Sequence, residues 1–318
     1  MSNKYFNSRY PILEATMNRG STLPLALACH EAGIHPSLVV PFPTEGIDTY
    51  DKYDQVDKEL GEFVKCTGSS DIIFAIDPEE LFDNKLMKII KSHKISHLEI
   101  FPNLDPSTAG QGNIVRTRLG HEGYDRLLKL VFKNIYPTKI MQRVRGIGYN
   151  PFNVAYCLKG SDAGGFNSMT HTTRELFNEQ QKLTPDAVLI PYGGVGTPQQ
   201  VAQYLKDGAT AVAVGTLLAA SRESTLSMET KTAMVNSKKE DLCKLSHTNQ
   251  NALILGDKQA VESEFSVDWN REYSLTNGLH GNSQVGHMYA GPAIDYVNEI
   301  KSVKEIVRYL ISELPEYN

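Results

Sequence analysis

The chain has 318 residues, of which 41% are hydrophobic and 22% are charged, values that exclude a disordered, collagen-like or coiled-coil protein. Its 32 Lys and Arg against 37 Asp and Glu give a net charge of -5, which argues against nucleic acid or an anionic membrane as the main partner. The 4 cysteines form no C-x-x-C, the amino terminus is polar, and no apolar stretch approaches the ~20 residues of a bilayer span, so we expect a reduced, cytoplasmic protein.

Short β-branched runs alternate with helical patterns along the chain, as in parallel β/α units. The runs are nearly all apolar, as expected for strands that are covered on both faces. Eight of them predict a (β/α)8 TIM barrel, with functional groups on the loops after the strands. The predicted strands lie at 10–15, 37–40, 71–76, 97–101, 139–144, 154–160, 187–193 and 211–217.

Two segments depart from a minimal barrel. Between Val144 and Val154 there are too few residues for a parallel crossover, so we predict that the fifth helix is missing or reduced to a loop. Residues 225–286 begin with a helical pattern and then become rich in Asn, Gly and Ser. We interpret them as a small helical cap near the carboxyl terminus, with 1–224 and 287–318 forming the barrel.

Glycine clusters directly follow the last three predicted strands, at 160–166, 192–198 and 214–216. Glycine lets the backbone approach a phosphate closely, and successive N–H groups form an anion-binding nest. A helix begins behind the second cluster, where Thr197 and Gln200 form a capping box around Pro198. Because loops after strands seven and eight often bind phosphate in barrels, we favour a phosphate site over simple tight turns.

Several segments together resemble the nitronate monooxygenase (2-nitropropane dioxygenase-like) flavoproteins. PILEATMNRGSTLPLALACHEAGI is similar to the opening of that family, and GSDAGGF is similar to its Gly-x-Glu-Ala-Gly-Gly-His motif. IPYGGVGTPQQVAQYLKDGATAVAVGTLLAASRES resembles its Gly-Gly and Gly-Thr stretches, and YAGPAIDYVNEIKSVKEIVRYL resembles its closing motif and helix. The segments occur in the family's order.

The resemblance implies an FMN-dependent oxidoreductase. It places Met17 against the isoalloxazine ring of the flavin. The backbone groups that it assigns to the phosphate are those of Gly164, Gly165, Gly193, Gly194, Gly215 and Thr216. No G-x-G-x-x-G motif opens a βαβ unit, so we expect no separate dinucleotide-binding domain.

One departure concerns the reaction. Phe166 stands where the family has its catalytic histidine, and a phenyl ring neither accepts nor donates a proton. His171 is the nearest imidazole and the candidate catalytic base, although a solvent-facing histidine before the next helix is the simpler interpretation.

Other polar residues give weaker signals. Glu99, Asn103 and Asp105 follow strand four and would line the barrel mouth, but a solvated loop is the simpler interpretation. His280 and His287 have no third ligand nearby, so we expect no metal.

The favoured function is oxidation of a small anionic substrate, with oxygen as the electron acceptor. The alternatives are an FMN-dependent enoyl-thioester reductase, a non-redox barrel enzyme that binds a phosphorylated metabolite, and a flavin-binding protein without turnover. A homodimer is compatible with the sequence.

Overall fold

The structure is a computed structural model that describes residues 5–40, 52–100, 128–134, 154–168, 170–247, 250–256 and 287–317. Within these residues eight parallel strands form one continuous wall. The strands of the wall are β1 (Ile12–Glu14), β2 (Ser37–Val39), β3 (Ile73–Ile76), β4 (His97–Ile100), β5 (Lys129–Asn134), β6 (Val154–Leu158), β8 (Val188–Pro191) and β9 (Val212–Val214). The short strand β7 (Gly165–Asn167) follows β6 in the chain but lies outside the wall.

The wall closes on itself. Strands β2, β3, β4, β5, β6 and β8 are hydrogen-bonded in that order, and β1 pairs with β9. Parallel bridges join Leu13 to His35 and Tyr192 to Ala213, which connects the β1–β9 pair to both edges of the larger sheet. The prediction of a (β/α)8 barrel is therefore confirmed.

The prediction of the fifth strand is wrong. Lys129–Asn134 pairs with both β4 and β6, whereas the predicted run at 139–144 lies outside the described residues. The connection from β5 to β6 spans residues 135–153 and exceeds the dozen residues that a crossover needs, so the argument for a missing helix fails. A lysine at each end of KLVFK made this run look unlike a buried strand.

Helices surround the barrel, and the predicted capping box at Thr197 is present together with a second one at Ser302. Thr197 accepts a hydrogen bond from the Gln200 N–H at 3.2 Å, and Ser302 accepts one from the Glu305 N–H at 3.3 Å. No described helix is long and apolar enough to cross a membrane. The described α-helices are α1 (Leu23–Glu31), α2 (Lys52–Thr67), α3 (Asn84–Ser92), α4 (Thr173–Leu183), α5 (Pro198–Lys206), α6 (Thr216–Ala219), α7 (Met228–Asn236) and α8 (Val303–Leu310).

The insert is only partly helical. It begins with α7, as predicted, but its described part continues as the antiparallel strands β10 (Leu242–His247) and β11 (Gln250–Gly256). Strand β11 also pairs with β7 and with β12 (His287–Tyr289), so a small antiparallel sheet joins the insert to the barrel. The purely helical cap is therefore corrected to a helix followed by a hairpin, and the domain boundaries stay a prediction.

Candidate active site

The three predicted glycine loops come together at the carboxyl end of the barrel, which is where TIM barrels carry their active sites. A Cβ built on Gly194, after β8, would lie 3.1 Å from Oδ2 of Asp162, after β6. A Cβ built on Gly215, after β9, would lie 3.6 Å from Sδ of Met17, after β1. The loops after four strands therefore line one region.

Two other glycines of these loops, Gly193 and Gly164, have no room for a side chain. A Cβ on Gly193, where φ is +145°, would be 2.6 Å from Cβ of Ala163, and a Cβ on Gly164 would be 2.7 Å from the carbonyl carbon of Ala290. The second contact also shows that the segment before the closing helix joins the site. Gly165 differs, because it begins β7 and lies against the Tyr289 ring on the side of the insert.

The backbone at these loops suits an anion. Hydrogen bonds among the described residues leave the N–H groups of Gly194, Gly215 and Thr216 without an acceptor. The Thr216 hydroxyl accepts a hydrogen bond from the Gly291 N–H at 3.1 Å, which fixes the neighbouring loop. N–H groups from two adjacent loops with no side chain between them match what a phosphate group requires.

A charged cluster lies inside the barrel at the same end. Glu99, on β4, is 1% exposed, and its carboxylate is 2.7 Å from Nζ of Lys133, on β5. Lys133 also donates to the Thr16 hydroxyl at 2.6 Å, and that hydroxyl donates to Glu99. The Tyr192 hydroxyl donates to the Thr16 carbonyl at 2.7 Å, and burial raises the pKa of Tyr192 well above its usual value. Side chains from four parts of the wall thus meet across the interior.

Lys159 follows β6 and adds a second buried amine to this cluster. It is 8% exposed, and its Nζ lies 5.6 Å from the centre of the Tyr192 ring. Among the described residues its side-chain amine has no hydrogen bond and no ion pair. Burial lowers the pKa of Lys159 well below its usual value, and the Lys133 charge lowers it further, while Glu99 opposes the shift. Lys159 therefore loses its proton more readily than an exposed lysine does.

His171 lies away from these groups. Its Nδ1 is 2.7 Å from the Thr170 hydroxyl, and its Nε2 is 3.3 Å from the carboxylate of Glu179 on α4. Both ring nitrogens thus contact polar side chains, one just before α4 and one within it. The assignment of His171 as a base stays a prediction.

Phe166 packs toward the insert. It pairs with Ala252 of β11, and its ring centre is 5.8 Å from that of Tyr289. Together with Cys243 and Ile254 these rings form a small apolar cluster. The loop that carries Gly164 is therefore attached directly to the hairpin of the insert.

The sequence analysis missed the charged cluster. Glu99 was interpreted as part of a solvated loop, but it lies within β4 and is buried, while Lys133 belongs to the strand that was not recognised. Lys159 fell within the predicted strand 154–160 and was given no role. One signal could have revealed the cluster. A single charged residue lies within or directly after an apolar strand, at a position whose side chain points into the barrel because side chains alternate between the two faces of a strand.

Comparison with known sequences decides the family. The sequence model of the nitronate monooxygenase family matches residues 153–313, which is half of the chain. The chain belongs to this family. The matched region contains the loops of Gly164, Gly193 and Gly215 and the segment around Gly291. No curated protein sequence matches the chain.

Solved structures agree with the fold. FabK from Thermotoga maritima is 21% identical with a TM-score of 0.80, covering 99% of this chain and 96% of that chain. Nitroalkane oxidase from Streptomyces ansochromogenes is 17% identical with a TM-score of 0.74, covering 97% and 96%. The enoyl reductase domain of MlnA from Bacillus amyloliquefaciens is 12% identical with a TM-score of 0.70, covering 99% and 96%. With the family match, these neighbours support a flavin-dependent oxidoreductase built on a TIM barrel.

Proposed function

We propose that the protein is an FMN-dependent oxidoreductase that oxidises a small anionic substrate and uses oxygen as the electron acceptor. The observation that carries the proposal is the glycine cradle, in which Gly164, Gly193 and Gly215 come from three loops at the carboxyl end of the barrel. The N–H groups of Gly194, Gly215 and Thr216 would hold the phosphate, and Met17 would lie against the ring system. The flavin, when bound, supplies the electron transfer.

The buried amines support an anionic substrate. Lys159 has no counter-ion among the described residues, and Lys133 already pairs with Glu99. An anion bound beside Lys159 would raise the pKa of this amine, so substrate binding would be accompanied by proton uptake. An anion would thus complete a pair that the described residues leave incomplete.

Phe166 bears on whether the substrate binds in an ionised or a neutral form. A nitronate is already ionised and needs no base, whereas a neutral nitroalkane must first lose a proton. Loss of a positioned base typically slows such a step by about 10²–10⁴-fold. We therefore expect preference for ionised substrates unless His171 or another group supplies the base.

The test compares flavin reduction by ionised and neutral forms of one nitroalkane in the flavin-loaded protein. Phe166→His is expected to raise kcat/KM for the neutral form more than for the ionised form. Phe82→His, at a surface position that is 48% exposed, is the control and leaves the ratio unchanged. Equal rates for both forms in the parent protein would show that another base acts, and no flavin reduction would indicate a flavin-binding protein without turnover.

An enoyl-thioester reductase is the second candidate. The enoyl reductase domain of MlnA aligns with 99% of this chain, which is the observation that favours it. NAD(P)H oxidation that depends on an added enoyl thioester in the absence of oxygen would support this candidate. A rate of NAD(P)H oxidation that is the same with and without the thioester would exclude this candidate.

A further inference from the structure

Three potential metal ligands lie at the amino end of the barrel, opposite the flavin loops. His35 and Asp71 precede β2 and β3, and His97 is the first residue of β4. Because these strands are parallel neighbours, their amino ends meet at one edge. One ligand atom from each residue lies within 4.8 Å of the other two. The three residues are far apart along the chain, so no local sequence pattern indicates this group.

The spacing suits a small divalent cation. The two oxygens of Asp71 face different imidazoles, with Oδ1 3.4 Å from His97 Nδ1 and Oδ2 3.9 Å from His35 Nδ1. Ligand atoms about 2.0–2.2 Å from a tetrahedral zinc ion are about 3.3–3.6 Å apart. The Asp71–His97 distance already falls in this range, and the Asp71–His35 distance is slightly longer.

The surrounding hydrogen bonds already hold two ligands in place. His97 Nε2 is 3.0 Å from the Tyr5 carbonyl, and Asp71 Oδ1 accepts a hydrogen bond from the Ser96 hydroxyl at 2.8 Å. Metal-bound histidines commonly donate their second N–H to a backbone carbonyl, and metal-bound carboxylates are commonly hydrogen-bonded. The Ser96 hydroxyl also lies 2.6 Å from His97 Nδ1, so a metal bound to this nitrogen would replace that hydrogen bond while the contacts of His97 Nε2 and Asp71 Oδ1 remain.

An unsatisfied carboxylate oxygen provides independent support. Asp71 Oδ2 is buried without a hydrogen-bond partner, and it faces Nδ1 of His35, a residue that is 1% exposed, at 3.9 Å. Buried polar atoms are rarely left in this state. A cation between His35 and Asp71 would satisfy both facing atoms.

We propose that His35, Asp71 and His97 bind a divalent transition metal, with Zn²⁺ as the best match to two imidazoles and one carboxylate. Phe6 covers the site, with ring centres 4.9 Å and 5.0 Å from the two imidazoles. The metal would tie three strands to the amino-terminal segment, so its role is structural. The Lys129 ammonium donates to the same Tyr5 carbonyl, and its charge moderates the affinity for a cation.

The experiment measures Zn²⁺ and Co²⁺ binding to full-length, flavin-loaded protein after chelator treatment and dialysis. We expect one Zn²⁺ per chain, a higher melting temperature with Zn²⁺, and a Co²⁺ spectrum with the intense visible bands of low coordination number. Asp71→Asn should weaken Zn²⁺ binding by at least a hundredfold. His93→Gln is the matched control, because His93 Nε2 also pairs with a carboxylate, that of Asp57 at 2.6 Å, but no third ligand lies nearby in the part of the chain that the structure describes.

A second variant protects the test against misfolding. Ser96→Ala keeps all three ligands and removes a hydroxyl that contacts both Asp71 Oδ1 and His97 Nδ1, so Zn²⁺ affinity should change by about tenfold or more. Equal affinity in the parent, Asp71→Asn and Ser96→Ala proteins would overturn the proposal, as would the absence of stoichiometric binding to the parent. Flavin content is read in parallel, and because the site lies at the opposite end of the barrel, the outcome does not depend on the proposed oxidoreductase activity.

Discussion

The two ends of the barrel interior handle buried polar groups in different ways. At the carboxyl end Glu99 and Lys133 form an ion pair, and Lys159 stands beside them without a counter-ion among the described residues. At the amino end two imidazoles lie under the Phe6 ring. Buried charge is costly, and barrels keep function at the carboxyl end and stability at the other. The comparison shows a buried ion pair beside the glycine loops, whereas at the amino end the partly buried Asp71 carboxylate faces two imidazoles that pack on an aromatic ring.

Removal of one partner of the buried pair gives the largest expected effect. Glu99→Ala leaves the Lys133 charge uncompensated and should lower the free energy of unfolding by about 3–5 kcal/mol, measured by urea denaturation. Asp54→Ala is the control, because it breaks an exposed pair with Lys85 at 2.7 Å, where we expect less than about 1 kcal/mol. Similar losses in both variants would contradict a buried charge pair.

Phe6→Ala tests the amino end. Phe6 is 1% exposed, so truncation should cost about 3–5 kcal/mol through lost burial and a cavity. Flavin affinity of the folded fraction, measured by fluorescence titration, should be unchanged, because the flavin loops lie at the other end. Weaker flavin binding by folded Phe6→Ala protein would show that the two ends are not independent.

A pair of glycines separates backbone strain from ligand contact. Gly194 and Gly68 have φ values of +68° and +67°, so alanine at either position should cost about 1–2 kcal/mol of stability. A Cβ on Gly68 meets nothing within 4 Å, whereas Gly194 lies in the proposed cradle. Only Gly194→Ala should weaken flavin binding, by about tenfold or more. Loss of flavin affinity in Gly68→Ala would instead point to strain as the cause.

Lys159 predicts a pH dependence of stability. Its pKa is lowered in the folded state, whereas the unfolded side chain keeps its proton up to a pH of about 10.4. Between these two pKa values the unfolded state binds more protons, so the free energy of unfolding rises with pH, by at most about 1.4 kcal/mol per pH unit. Lys159→Met should flatten this slope in denaturation curves collected across that window. Lys85→Met, at an exposed position, serves as control, and an unchanged slope in Lys159→Met would refute the assignment.

Local patterns were enough to predict much of the barrel. Seven of the predicted runs contain wall strands, and the glycine clusters after three of them meet as expected. The fifth strand could not be recognised, because a lysine is unexpected in a buried strand. Lys133 is accommodated there only through its ion pair with Glu99, which belongs to another strand. The hairpin after α7 was missed because its second strand, β11, pairs with β7 and β12, which are distant in sequence. Such features depend on contacts that no local pattern contains.

The closure of the wall has a mechanical consequence. The β1–β9 pair joins the larger sheet through the bridges Leu13–His35 and Tyr192–Ala213, whereas β5 and β6 share five consecutive residue pairs. Amide hydrogens at these two seams are expected to exchange with solvent before those of the central ladder, because fewer bonds must open together. One seam ends beside the glycine loop after β8. Local opening of the barrel is therefore expected first at these seams, one of which lies next to the glycine loops, while the β5–β6 side of the wall stays closed.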